Sequence, residues 1–530
     1  MSGFRIPDLG LSIGRHTGTR PISRRAFLHG AAAAAAVPLV LRAQNATDAR
    51  LFQHGVASGD PLPDRVILWT RVTPPPTRSA TGPIQVRWRL ADDERLTSVV
   101  ASGTIDASPA RDFTAKVDAG GLRPGRTYYY AFDAGGEQST IARTRTLPAA
   151  QADRVRLATV SCANYASGYF NVYRCLANRD ELDAIVHLGD YIYEFANGVY
   201  GDAAEIGRAP LGDGEAATLE QYRARYAAYR TDPDLQAVHA RHPFITVWDD
   251  HESANNAWSG GSESHTAVKG PWPVRQMAAY RAYLEWMPIR ESAEAGIHLY
   301  RGFRIGTLAD LIMLDTRALR DKQATSADTA TLADPSRSIL GRTQEAWLFD
   351  QLRGSQRGGT TWRLLGQQVV FAPVTPPGVP VLQVDAWDGY PAARGRVMDF
   401  IRAETIGNLV VLTGDIHSSW AADVPRDQIF GYQASTGAGS LAVEIVTPAI
   451  SSPPLFSIDG VRERVPLLRL AAPHVKYLDG DNRGYVVLDI TAERVTADWY
   501  HVPTVTQRTD QESRSARYVC ERGGNRLVPG

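Results

Sequence analysis

The chain has 530 residues, more than one hydrophobic core ordinarily organises, so two or three folded units are expected. Hydrophobic residues make up 44% and charged residues 22%, a balance that excludes disordered and fibrous classes. Lys plus Arg equals Asp plus Glu at 57 each, which removes the global basic field of a nucleic-acid binder and the acidic arm of a disordered partner segment.

At the N-terminus, Ser23-Arg24-Arg25-Ala26-Phe27-Leu28 precedes an apolar run from Ala31 to Leu41. Paired arginines before a short apolar stretch resemble a twin-arginine export signal. The run is about 11 residues long, while a membrane-spanning helix needs roughly 20. Residues 1–46 are therefore expected to be a targeting segment read by the twin-arginine machinery. The expected product is periplasmic or secreted, with no stable membrane anchor and no specific affinity for nucleic acid.

Residues 47–150 read as strands. Ile84, Val86, Trp88 and Leu90 alternate with Gln85, Arg87 and Arg89, the period of a half-buried strand. Tyr128, Tyr130 and Phe132 alternate likewise, after a Pro124-Gly125 turn. The run Leu122-x-Pro124-Gly125-x-x-Tyr128-x-Tyr130 resembles the corner of a fibronectin-type sandwich. Nothing here looks catalytic, and the role expected of this unit is packing and orientation. Pro148 to Asp153 reads as a linker.

In residues 151–530 the pattern changes. Short apolar runs, the mark of strands buried on both faces, each end in a polar cluster. Val155 to Val160 ends at Ser161-Cys162, Ala184 to Leu188 at Gly189-Asp190, and Phe244 to Trp248 at Asp249-Asp250-His251-Glu252. Leu311 to Leu314 ends at Asp315-Thr316-Arg317, and Leu409 to Leu412 at Thr413-Gly414-Asp415-Ile416-His417. Between them, Leu219 to Ala240 has helical spacing, with Tyr222, Tyr226 and Tyr229 on one side. In α/β proteins chemistry gathers at the carboxyl ends of strands, and five such clusters point to one convergent site.

Cys162, Asp190, Tyr193 and Asp415 together offer a thiolate, a phenolate and two carboxylates. Without a cation such a set would repel and take up protons. Iron(III) suits these donors better than zinc, which prefers nitrogen and sulfur in a tetrahedral site. Asp190 is placed to bridge to a second ion, and Asp249, Asp250 and Glu252 offer oxygens to a harder divalent ion such as calcium. Two adjacent metals suit in-line phosphoryl chemistry. His251 and His417 are candidates to protonate the leaving oxygen or steady phosphoryl charge, and Arg317 to hold a phosphate oxygen. Cys175 and Cys520 are read as either a disulfide or two buried thiols. The segments Asn197 to Gly214 and Ala324 to Ser338 are candidate lids.

Gly189-Asp190-Tyr191-Ile192-Tyr193 resembles the GDxxY block of the metallophosphatases. Asp249-Asp250-His251-Glu252 stands where that superfamily has GNH and an acid, and Gly414-Asp415-Ile416-His417 where it has GHxH. The departures are Cys162 for an early Asp, Asp250 for the Asn, and Asp415 for the first His. This altered set resembles the PhoD-type alkaline phosphatases and their phospholipase D-like relatives, as does the opening run from Phe52 to Pro61. The resemblance implies an α/β fold, a four-layer α/β/β/α catalytic domain preceded by a small β-sandwich. It implies Fe(III) on Cys162, Asp190, Tyr193 and Asp415, with Ca(II) sharing Asp190 and taking Asp250 or a neighbour. Gln367-Gln368 is a possible replacement for the superfamily's VxxH position. The C-terminal capping helix known in part of the family has no clear counterpart in the polar tail after Val505.

The expected activity is release of phosphate from phosphomonoesters, with diesters as an extension. The alternatives are a phosphodiesterase or phospholipase D-like enzyme with the same metals, and an exported binding protein whose metals only stabilise it. The targeting segment has its own test. Replacing Arg24 and Arg25 together by Lys should leave unprocessed precursor in the cytoplasm, as seen by fractionation and intact mass. Normal processing of the double variant would rule out the twin-arginine route.

Overall fold

The computed structural model describes residues 50–74, 82–209, 211–212, 214–291, 298–375 and 380–530. The targeting segment lies outside the described residues. Two large sheets form the centre. In one, the strands Arg154–Val160, Ala184–His187, Pro243–Thr246 and Val56–Gly59 run parallel, and antiparallel strands extend the sheet on both sides, giving ten strands in all. In the other, of seven strands, Ala309–Met313, Trp362–Gly366, Leu409–Thr413 and Ser440–Val446 run parallel.

Side-chain alternation explains why these strands are apolar throughout. Val410 and Leu412 point into the core between the sheets, while Leu409 and Val411 join the outer core with Leu348, Leu352, Val397 and Ile401. Those outer residues come from the helices Gly341–Arg357 and Pro391–Ala403. The helices Asn171–Ala177, Leu219–Arg230, Pro233–Arg241 and Trp272–Trp286 pack on the ten-stranded sheet. The order is helix, sheet, sheet, helix.

The stretch from Leu219 to Ala240 is two helices rather than one. Asp232 accepts the backbone N–H groups of Asp234 and Leu235 at 2.9 and 3.1 Å, and Pro233 cannot continue a preceding helix. The first helix opens with a capping box of Thr218 and Gln221 and buries Tyr222, Tyr226 and Tyr229.

The N-terminal region is a sandwich with a shared wall. One sheet is built on Ile84–Ala91, Val99–Ala107 and Thr127–Ala134. The facing strands Val56–Gly59, Arg65–Arg71 and Thr114–Gly120 are the outer part of the ten-stranded sheet, because Val56–Gly59 pairs in parallel with Pro243–Thr246. Tyr128 accepts the Arg123 N–H at 2.8 Å, which fixes the corner. After Val505 the described residues form the strands Ser513–Glu521 and Val528–Pro529, which extend the ten-stranded sheet. Cys175 and Cys520 are free, buried thiols and do not form a disulfide.

The two sheets meet where they carry chemistry. Ser161 bridges Ala449, and the Ile450 N–H donates to the Ser161 carbonyl at 2.9 Å. At the edge of the sandwich, buried Asp60 accepts Arg301 Nε and Nη2 at 3.0 and 2.6 Å and the Arg290 N–H at 2.8 Å. Arg301 opens the first strand of the seven-stranded sheet, so this pair ties the N-terminal region to both sheets. Removing one partner of a buried pair leaves the other uncompensated, so Asp60→Ala should destabilise by about 3 kcal/mol. Chemical denaturation checks this, with a lowered midpoint and an unchanged slope as the expected result.

Candidate metal centre

The site lies at the carboxyl ends of strands from both sheets. Four of its residues have left-handed backbone: Cys162 (φ 62°), Asp190 (φ 55°), Asp415 (φ 61°) and His417 (φ 51°). Side-chain-bearing residues resist that region, and such strain collects where surrounding structure holds a functional group in place. Gly189, at φ 108°, could bear no side chain, since a Cβ would collide with that of Asp249.

Sulfur, carboxylate and imidazole donors of Cys162, Asp190 and His417 lie within 4.8 Å of one another. The Tyr193 hydroxyl donates to Asp190 Oδ2 at 2.8 Å, accepts from Ser452 Oγ at 2.8 Å and stands 3.2 Å from His417 Nε2. A second group joins Asp249, Asp250 and Asp415, and a third joins Asp190, Asp250 and His251, each within the same 4.8 Å. Asp190 and Asp250 therefore stand between the clusters. His417 shares the thiol cluster, while Asp415 groups with Asp249 and Asp250.

Electrostatics show how much negative charge is crowded here. Burial, with Asp190 beside it, pushes the Cys162 thiol well above its usual range. Burial and the neighbouring acids do the same to Asp190, and burial raises Asp415 to about 7 against the pull of Arg317. Asp249 is raised as well, and its buried Oδ2 has no hydrogen-bond partner. An orphaned carboxylate oxygen beside a thiol, a phenol and three further carboxylates is a donor set that fits metal cations.

The two histidines differ. His417 Nδ1 donates to the Pro453 carbonyl at 2.8 Å, which leaves the lone pair on Nε2, and burial lowers its pKa to about 4. His251 Nδ1 is 2.7 Å from Glu194 Oε2. Burial opposes its charge, but Asp250, Glu194 and Asp190 outweigh that and hold it protonated. Its ring stacks on Tyr193, with centroids 4.2 Å apart.

Arg317 is not free to reach a ligand. Its Nε donates to Asp249, its Nη1 to Asp385 Oδ2 at 2.6 Å and its Nη2 to Asp415 Oδ1 at 2.7 Å, with Asp250 at 3.6 Å. It serves as an internal counter-charge. Glu252 spends both oxygens on backbone: Oε2 accepts the Asp190 and Asp249 N–H groups at 3.1 and 2.8 Å, and Oε1 that of Tyr191 at 2.6 Å. It pins two metal-side loops together rather than offering a donor. Gln367 and Gln368 do not enter the site. Gln367 bonds Thr413 and Trp387, and Gln368 bonds Thr316 and the Leu314 carbonyl.

The pocket is lined by Asp190, Asp250, His251, Asp415 and His417, with Phe195, Tyr200, Asn255 and Asn256 around them. Asn197 to Gly214 thus contributes Tyr200, while Ala324 to Ser338 contributes no lining residue among those described. Sequence reasoning missed Tyr200, Ser452 and Asp385, and gave Glu194 no role although it directly follows Tyr193. Asp385, which accepts Arg317, Arg320 and Gln323, lies in no recognisable motif.

Two stacked sheets between helices, with a cation-demanding pocket at their strand ends, define a metallophosphatase-like α/β protein. The chain belongs to the PhoD-like phosphatase family. That family's model matches residues 157–499, and the model described as PhoD-like phosphatase, N-terminal domain, matches residues 34–148. The chain is 38% identical over 488 residues to alkaline phosphatase D of Bacillus subtilis (strain 168), covering 89% of this chain and 81% of that one. It is similar to a solved structure of PhoD with a TM-score of 0.82 and 35% identity, over 91% of this chain and 93% of that one. This is a PhoD-type phosphoesterase, and membership of the family implies dependence on metal.

Glu252 gives a test that does not touch a donor. Glu252→Gln should lower activity and metal content roughly 10- to 100-fold in affinity terms, as expected for a residue that orients ligands. Metal titration followed by turnover of 4-nitrophenyl phosphate reads both. Unchanged metal affinity would leave Glu252 with a purely structural role.

Proposed function

We propose that the protein is an exported phosphatase that releases phosphate from phosphomonoesters, with diesters as further substrates, using iron(III) and calcium. The observation that carries this reading is the meeting of Cys162, Asp190 and His417 with the Tyr193 hydroxyl, next to Asp249, Asp250 and Asp415. Thiolate, phenolate and imidazole beside a carboxylate suit iron(III), and an all-carboxylate neighbour suits calcium. The residues proposed for iron are Cys162, Asp190, Tyr193 and His417. Those proposed for calcium are Asp190, Asp250 and Asp415, with Asp249 adding its unpartnered oxygen. Asp415, expected from sequence on the iron, is reassigned to the calcium side because its oxygens group with those of Asp249 and Asp250. When bound, such ions supply Lewis acidity for in-line attack of water on phosphorus.

The chain's own groups then divide the remaining work. His251, kept protonated by Glu194 and Asp250, holds a proton for the departing oxygen. Glu194 also accepts the Asn255 N–H at 2.7 Å, so the loop bearing the pocket asparagines and the imidazole are oriented by one carboxylate. Arg317 neutralises part of the acid cluster from behind, outside reach of the substrate. Phosphodiesters and phospholipids remain the alternative substrate class. No described helix is long and apolar enough to cross a membrane.

Asp190 and His251 separate the roles. Asp190→Asn should lose metal and phosphoester hydrolysis together. His251→Ala should keep both metals and turn over about 100- to 10,000-fold more slowly. Elemental analysis of wild type should find iron and calcium, and Tyr193→Phe should shift or abolish a visible absorption band. Stoichiometric zinc without iron, or an Asp190→Asn protein with full metal and near-normal turnover, would overturn the assignment.

A further inference from the structure

Part of the pocket wall takes no role in the chemistry described so far. Asp190, Asp250, Asp415 and His417 belong to the donor clusters, and Asn255 and Asn256 carry amides. Of the described residues that line the pocket, only Phe195 and Tyr200 present hydrocarbon surface, and both stand beside His251. The Phe195 ring meets that of His251 edge to face, with centroids 5.2 Å apart and planes at 60°. The Tyr200 ring lies within 15° of parallel to His251, with centroids 6.3 Å apart, and meets Phe195 at 5.9 Å. The imidazole assigned to the departing oxygen therefore sits in an aromatic corner of the pocket.

Both rings are carried on braced backbone. Buried Arg225 donates from Nη1 to the carbonyls of Tyr193 and Phe195, at 2.5 and 2.6 Å. Tyr200 belongs to a loop closed on itself. Asn197 Nδ2 donates to Asp202 Oδ1 at 2.7 Å, Asn197 Oδ1 accepts the Ala203 N–H at 3.0 Å, and the Gly198 N–H donates to the Gly201 carbonyl at 2.9 Å. From outside the loop, Asn164 Nδ2 and Ser167 Oγ donate to the Tyr200 carbonyl at 2.7 and 3.3 Å. Gly201 beside it has φ 102° and packs so closely on Ser167 and Ala166 that no side chain would fit. The Tyr200 hydroxyl lies 3.4 Å from His417 Nδ1, a nitrogen that already donates to Pro453, so the phenol oxygen is turned to the donor clusters while its ring stands by His251. Surface fixed in this way loses little freedom when a ligand packs on it.

We propose that Phe195 and Tyr200 select the leaving group, forming a wall on which an aromatic ring close to the ester oxygen packs, so that aryl and arylalkyl phosphates are preferred over short alkyl phosphates. The proposal rests on the phosphoesterase reading and names its substrate class. The phosphoryl end of a substrate is held by charge, and the carbon end finds apolar contact only at these two rings among the described lining residues. Ring-to-ring packing adds to the gain from covering apolar surface.

The matched probes are 2-phenylethyl phosphate and ethyl phosphate, followed by phosphate release. Their leaving alcohols differ little in acidity, so the ratio of their kcat/KM values reads the contact rather than the chemistry, and it cancels any difference in the fraction of active enzyme. Wild type should favour the phenylethyl ester by about tenfold. Phe195→Leu and Tyr200→Leu should each lower that ratio about threefold, through KM rather than kcat, with metal content as in wild type. Tyr200→Phe keeps the ring and should keep the ratio. A wild-type ratio near one, a ratio unchanged in both leucine variants, or an equal loss on both esters would mean that the rings only brace His251, and the wall would be wrong. A ratio that collapses in Tyr200→Phe would move the effect to the hydroxyl and overturn the wall as well. A wild-type protein that releases phosphate from neither ester would instead overturn the phosphoesterase reading, and the wall with it.

Discussion

Acids that share a buried space cannot all stay ionised without a cation among them, and this structure is organised around that limit. Asp249, Asp250, Asp385 and Asp415 surround one guanidinium, that of Arg317. That single charge cannot neutralise all of them, and it does not touch Asp190 or Cys162. The Asp249 oxygen left without a partner and the carboxyl of Asp415 raised to about 7 are two signs of the same deficit. Metal ions would remove it, and the donors are divided so that softer groups lie on one side and carboxylates on the other.

Holding such a set together opposes folding, and the scaffold bears the cost at the strand ends. Cys162, Asp190, Asp415 and His417 all take left-handed backbone where their side chains come together. Each such residue is unfavourable by about 1 kcal/mol or more. The compensation comes from close packing beneath: Leu157, Val186, Ile245, Leu311, Leu412 and Ile445 meet in one core between the sheets. Glu252 adds a second restraint, since its three backbone hydrogen bonds fix the loop after Ala184–His187 against the loop after Pro243–Thr246.

The layers and strands were legible because a uniform apolar run such as Leu409 to Leu412, too short for a buried helix, suits a strand covered on both faces. The donors were legible because each follows such a run. Pairing among donors was not. Asp415 and His417 are two residues apart, and only the turn between them, with both residues left-handed, decides that His417 faces the thiol and Asp415 the acids. Arg317 looked like a ligand for phosphate because sequence does not show how many carboxylates will converge on one guanidinium. Gln367 and Gln368 looked available because their partners are distant in sequence, Thr413 at the end of another strand and Thr316 in the loop after Ala309–Met313. Asp385 and Ser452 come from loops with no periodicity, where only the folded chain brings them near.

The shared wall of the N-terminal sandwich has a consequence for how the protein can be taken apart. Because Val56–Gly59 is hydrogen-bonded directly to Pro243–Thr246, the N-terminal region is not a bead on a string. Cutting it away would bare the backbone of a parallel strand that is built to be covered on both sides, and such an edge invites other chains to pair with it. The catalytic half expressed alone should therefore be sticky rather than merely less stable. Conversely, no swivelling between the two regions can gate the pocket, since a sheet does not bend at a continuous ladder without breaking it.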